Sequence, residues 1–128
     1  TEVVMPRIKS DLVELFQAVA EQKLDTIKIE TDERTVCTVV AVSGGYPGDY
    51  KKGYEIHGLQ DINPADSVVY HMGTIIKDGK VVTNGGRVFC VTSYGRSIYD
   101  AVAISKEEIE KITFTGMEYR SDIGYEFD

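Results

Sequence analysis

Apolar residues recur at helical spacing in two parts of the chain. Leu12, Val13, Phe16, Val19 and Ala20 share one side of a helix, with Ser10 as N-cap and Asp11 at the positive end, which predicts a helix over residues 11–22. Ile98, Ala101, Val102, Ile109 and Ile112 form the second stripe, opposite Lys106, Glu107, Glu110 and Lys111. Ser97 caps this helix, which extends to about residue 112. Ser105 falls on its apolar side, and this allows a break near residues 104–105.

Between the two helices the period changes. Residues 27–31 alternate as a strand with one wet face, whereas 35–42 are β-branched almost throughout, predicting a central strand covered on both faces. Residues 54–59 and 67–72 read as further short strands. Residues 74–77 and 80–83 flank Asp78-Gly79, a strong hairpin signal. A last strand continues from Arg87 past Phe89 to Thr92 and is ended by Gly95. The tail over 114–124 mixes aromatic and charged residues and should pack across the domain, leaving 125–128 loose. The expected fold is therefore α+β: one helix, about six short strands and a second helix, with a small, mostly antiparallel, barrel-like sheet and flanking helices.

Length and charge narrow the partners. The chain's 128 residues match one domain, and its formal net charge of -7 argues against nonspecific binding to nucleic acid or to an anionic membrane. No apolar run approaches the roughly 20 residues of a spanning helix. The amino terminus has no secretory pattern and no initiator methionine, which suggests a processed chain or a fragment. Cys37 and Cys90 lie in β-branched runs and are expected as buried free thiols, fitting a reducing, cytoplasmic compartment.

The candidate chemistry is anion binding. In Asn84-Gly85-Gly86-Arg87-Val88, two glycines let the backbone approach a ligand, and the guanidinium offers paired donors to phosphate or carboxylate. Ser43-Gly44-Gly45-Tyr46-Pro47-Gly48-Asp49-Tyr50 excludes helix and regular strand and predicts a shaped loop hung on the preceding strand. The same residues would also serve as an ordinary turn and a wide β-connection. His57 and His71 have no partner at metal-ligand spacing. No nucleophile elbow and no Walker-type phosphate loop occurs. Lys77 and Lys80 flank the hairpin turn but lack the setting of a modified carrier lysine. The residues alone thus describe an anion-binding loop system and no self-sufficient catalytic machine.

Six blocks resemble the carboxy-terminal part of the phosphoribosylamine-glycine ligase family: Pro6-Arg7-Ile8-Lys9-Ser10-Asp11-Leu12-Val13, the Ser43 to Tyr50 loop, His71 to Gly73, Lys77-Asp78-Gly79-Lys80, Thr83-Asn84-Gly85-Gly86-Arg87-Val88, and Met117 to Gly124. That resemblance implies an ATP-grasp ligase of purine biosynthesis, using ATP and Mg2+ (or Mn2+) to join glycine to 5-phosphoribosylamine, with the rest of its own chain as partner and neither nucleic acid nor membrane. It implies that residues 1–24 end the ATP-grasp domain and that 25–128 form a closing domain that is inactive alone. The metal and nucleotide sites would lie outside the chain, and no catalytic residue is assigned within it. By the same resemblance, Arg87 would contact the ribose phosphate with the backbone of Gly85 and Gly86. The loop residues Gly44, Gly45, Tyr46, Pro47 and Gly48 would shape the glycine or phosphoribosylamine pocket, and Lys9 would be a second cation. The pattern departs from the family at Phe89-Cys90 and at Tyr94-Gly95-Arg96-Ser97, which bears on fine substrate positioning. Two other readings remain: a free-standing module that binds a phosphorylated metabolite without catalysis, and a purely structural closing domain.

Overall fold

The computed structural model describes residues 1–127. Helix α1 spans Leu12–Ala20. Its N-cap is Asp11 and not Ser10: the Asp11 carboxylate accepts from the Val13 and Glu14 N–H groups at 2.7 and 3.2 Å. The Ser10 hydroxyl instead accepts from the Glu30 N–H at 2.8 Å, tying down the following segment. That use explains why residues 27–31 are not the expected strand; they run alongside the helix start, with a single bridge between Ile8 and Thr31. The helix buries Leu15 and Ala18, whereas Val13, Phe16 and Val19 are 73%, 66% and 56% exposed. Most of its apolar stripe therefore has no cover within the described residues.

Strands β1 (Thr35–Ser43), β2 (Ser67–His71), β3 (Thr74–Lys77), β4 (Lys80–Thr83), β5 (Arg87–Gly95) and β6 (Met117–Glu118) are paired antiparallel throughout. They form a four-stranded sheet in the order β2-β5-β1-β6 and a separate ribbon of β3 and β4. The α+β class is as expected, but the strands are divided between two sheets where a single barrel-like one was expected. The hairpin turns at Asp78-Gly79, both at positive φ, as its sequence signals. Residues 54–59 do not form a strand. Its Glu55 bridges to Val82 of the ribbon and its His57 to Thr113 after the second helix, and the Ile56 N–H donating to the Val81 carbonyl and the Thr83 N–H donating to the Tyr54 carbonyl, both at 2.9 Å, tie the stretch along β4. Strand β2 stops at His71 because the Met72 and Gly73 N–H groups both donate to the Val88 carbonyl, at 3.0 and 2.9 Å.

Helix α2 (Ile98–Ile109) carries the predicted cap: the Ser97 hydroxyl accepts from the Asp100 N–H at 3.1 Å, and the Asp100 carboxylate accepts from the Ser97 N–H at 3.2 Å. It packs on β1 and β5, where Ala101 and Ile109 are fully buried with Val39, Ala41, Phe89 and Val91. The helix does not break at Ser105. That side chain is buried and donates to the Cys37 carbonyl at 3.0 Å, a hydrogen bond that accounts for a polar residue on the apolar side. Cys37 and Cys90 are free and buried, and burial raises both thiol pKa values.

The opposite face of the sheet is covered differently. Thr38, Val40 and Val42 are half-buried, so β1 is not sealed on both sides as expected. The amino-terminal segment crosses this face: Thr92 donates to the Glu2 carbonyl at 3.1 Å and Tyr94 to the Pro6 carbonyl at 2.7 Å. The tail pairs Met117 and Glu118 with Ser43 and Val42, and its residues Tyr125–Phe127 close in a short 3-10 helix where a loose end was expected. Residue 128 of that expected loose end lies outside the described residues.

Candidate anion-binding site

Register brings the two glycine-rich stretches together. β1 and β5 run antiparallel with Val42 opposite Arg87, so the end of β1 meets the start of β5, and the pairing shifts between Ala41 and Val42. Ser43 stitches the two ends: its N–H donates to the Gly86 carbonyl at 2.7 Å, and its hydroxyl donates to the Gly85 carbonyl at 2.8 Å. Both carbonyls of the glycine pair are thus engaged. Neither glycine N–H has an acceptor among the described residues, although Gly86 is buried. A buried donor without a partner is rare in folded chains, because it loses its water without replacement.

The Ser43 to Tyr50 stretch is the shaped loop expected. Gly45 has φ +94°, a conformation that side chains rarely adopt, and a Cβ on Gly44 would stand 2.7 Å from the Gly116 carbonyl oxygen. The Tyr46-Pro47 peptide is cis, and Gly48 follows it against the Gly45 carbonyl. The turn lays the Tyr46 ring directly on the Gly86 α-carbon, where any added Cβ would collide with it. Tyr50 meets Tyr46 edge-on, with ring centroids 6.1 Å apart. Glycine at position 86 is therefore required by an aromatic ring and not by backbone φ, which is not positive there.

This docking opens a cavity of about 410 Å³ whose lining includes Arg87, Tyr46, Val42, Glu118, Tyr119 and Arg120. On the other side of the loop a hollow of about 330 Å³ is lined by Ser43, Gly44, Asp49, Tyr50, Lys51 and Gly116, among others. The two guanidinium groups of the larger cavity differ in state. Arg120 makes two parallel bonds of 2.8 Å to Asp122, and these hold the Asp122 carboxyl below its ordinary range and push the Arg120 pKa up. Arg87 is exposed and has neither ion pair nor hydrogen-bond acceptor for its side chain among the described residues. Of the two guanidinium groups on this cavity it is the one without such a partner, and its charge is one of the smaller influences that lower the Glu2 carboxyl pKa.

Arg87, Gly85, Gly86 and Tyr46 thus converge, with Gly44, Gly45, Pro47 and Gly48 forming the loop that holds Tyr46. Lys9 stands elsewhere. Its N–H donates to the Glu30 carbonyl, next to Arg7, which grips the Asp32 carbonyl at 2.9 and 3.0 Å near the beginning of β1. Strand β1 has nine residues, and at about 3.3 Å per residue it separates that end from Ser43 by roughly 25 Å. Sequence reasoning did not assign Ser43 as the stitch, nor Glu118, Tyr119 and Arg120 as cavity lining. The mixture of aromatic and charged residues in the tail was the available signal. Among the described residues no group of three or more His, Cys, Asp or Glu is placed to hold a metal ion.

Residues 36–126 match the family model described as phosphoribosylglycinamide synthetase, C domain. The chain is 47% identical over 123 residues to the phosphoribosylamine-glycine ligase of Caldanaerobacter subterraneus subsp. tengcongensis, covering 96% of this chain and 29% of that protein. It is 45% identical over 125 residues to the trifunctional purine biosynthetic protein adenosine-3 of Gallus gallus, covering 97% of this chain and 12% of that protein. The crystal structure of phosphoribosylamine-glycine ligase from Thermotoga maritima superposes with a TM-score of 0.65 at 32% identity, over 85% of this chain and 27% of that one. The chain spans less than a third of the length of these relatives. On the match over residues 36–126, this chain belongs to the phosphoribosylglycinamide synthetase C-domain family.

Proposed function

We propose that the chain is the carboxy-terminal closing domain of an ATP-dependent ligase that joins glycine to 5-phosphoribosylamine in purine biosynthesis, and that Arg87 receives the ribose phosphate. The observation that carries this reading is the contact of Tyr46 with Gly86, which sets an unpaired guanidinium and an unpartnered glycine N–H on one rim. A phosphate monoester is bound well by donors of both kinds: a fixed charge that tracks its anionic oxygens and backbone N–H groups that set its orientation. The chain's own part in the reaction is then to bind and orient phosphoribosylamine and, with Tyr46 and the tail, to keep water from its phosphate.

The chain covers 29% of a relative named for this ligase, and we assign the ATP and magnesium chemistry of the ligation to the rest of a longer chain. The uncovered stripe of Val13, Phe16 and Val19 on α1 fits the same reading, with residues 1–24 packing on that remainder and 25–128 forming the closing unit. The partners are accordingly small molecules and the chain's own remaining domains, in the cytoplasm. Calorimetry tests the division: the 128-residue chain alone should show no heat of ATP binding and form no glycinamide ribonucleotide, whereas the full-length enzyme does both. ATP binding by the chain alone would overturn it.

A further inference from the structure

We infer that Ser43 is a positioning residue for the phosphate site: it locks the Gly85 and Gly86 carbonyls inward so that the Gly86 N–H is presented to a phosphate oxygen beside Arg87. The inference rests on the phosphate reading of Arg87 given above. Ser43 is buried and donates twice, once from its hydroxyl to the Gly85 carbonyl at 2.8 Å and once from its N–H to the Gly86 carbonyl at 2.7 Å. The Gly85-Gly86 and Gly86-Arg87 peptides are trans, so each N–H lies opposite the carbonyl of its own peptide. Fixing the two carbonyls on Ser43 therefore turns the Gly86 and Arg87 N–H groups away from it.

Glycine without such a clamp would sample many orientations, because it lacks the Cβ that restricts other residues. Two hydrogen bonds from one residue on a rigid strand remove that freedom before any ligand arrives. The Tyr46 ring on the Gly86 α-carbon closes one side of the same peptide, and the guanidinium of the next residue adds the charge. A bound anion would satisfy the Gly86 N–H, which has no acceptor among the described residues.

The test uses the full-length enzyme, varying 5-phosphoribosylamine at saturating ATP and glycine. Ser43→Ala should raise the KM for phosphoribosylamine about tenfold, since a part-buried hydrogen bond is lost and the Gly85 carbonyl left without it, with kcat within about twofold and the KM values for ATP and glycine unmoved. Ser43→Thr, which keeps the hydroxyl, should restore most of the affinity. The double variant Ser43→Ala, Arg87→Ala should lose less than the product of the two single losses, because both groups serve one phosphate. Should Ser43→Ala not fold, Ser43→Cys, with a weaker donor of similar size, takes its place. An elevated KM in Arg87→Ala alone, with Ser43→Ala silent, would overturn the inference while leaving the Arg87 reading intact. The reverse pattern, with Arg87→Ala silent, would sink the Arg87 reading and the inference that rests on it. A loss shared by all three substrates and not rescued by threonine would reduce Ser43 to a general structural residue and overturn the inference as well.

Discussion

Arg87→Ala in the full-length enzyme is expected to raise the KM for 5-phosphoribosylamine by roughly 30- to 150-fold, corresponding to about 2–3 kcal/mol for a charged hydrogen-bonded contact removed from a closed site. The dependence on ATP should not move, because Arg87 sits on a cavity that the chain forms with its own Tyr46 and tail residues. Arg87→Lys should recover only part of the loss, since it keeps the charge and gives up the planar fork. Stability should hardly change in either variant. An exposed side chain with no ion pair among the described residues contributes little to folding, and its removal is expected within about 0.5 kcal/mol. Unfolding midpoints measured beside the kinetics separate the two effects. Unchanged kinetics would leave Arg87 a solvated surface charge.

Phe89→Ala should have the largest effect on stability. Phe89 is fully buried two residues beyond Arg87, and its ring meets Phe114 edge-on with centroids 6.1 Å apart and planes at 76°. Truncation leaves a cavity among Val39, Val91, Ile109 and their neighbours that close-packed elements cannot collapse to fill, at a cost of about 3–5 kcal/mol. That is a large share of the roughly 5–15 kcal/mol by which domains of this kind are stable. Phe89→Leu should cost less than half as much. Urea unfolding of both variants checks the ordering, and a loss below about 1 kcal/mol for alanine would mean that the contact between α2 and β5 is not the main support of this sheet.

Much of this architecture could be read along the chain where one local rule governed. The Asp78-Gly79 hairpin, the Ser97 cap and the existence of strand β1 each follow from chemistry within a few residues and appear as expected, although one face of β1 is only half-covered. Reading failed where a residue's partner was distant. Ser10 looked like a cap by its position, but its hydroxyl is held by the N–H of Glu30, twenty residues on, and Asp11 takes the cap. Residues 27–31 and 54–59 alternate as strands do, yet alternation states only which side is wet; the first forms a single bridge, and the second bonds to β4 and then turns away to Thr113 before a regular strand is established. Lys9 and Arg87 are both cations near glycine- or helix-start signals, and only the length of β1 reveals that they stand at opposite ends of the sheet. The stitch between Ser43 and the glycine pair depends on the irregular register of β1 and β5, for which no single stretch of sequence carries a sign.

The most direct test of the phosphate site is a crystal structure of the full-length enzyme with glycinamide ribonucleotide bound. The account predicts the Arg87 guanidinium within about 3 Å of a phosphate oxygen, a second phosphate oxygen on the Gly86 N–H, and the Tyr46 ring still seated on the Gly86 α-carbon. A phosphate held by other residues, with Arg87 turned to solvent and the Gly86 N–H still without a partner, would contradict it.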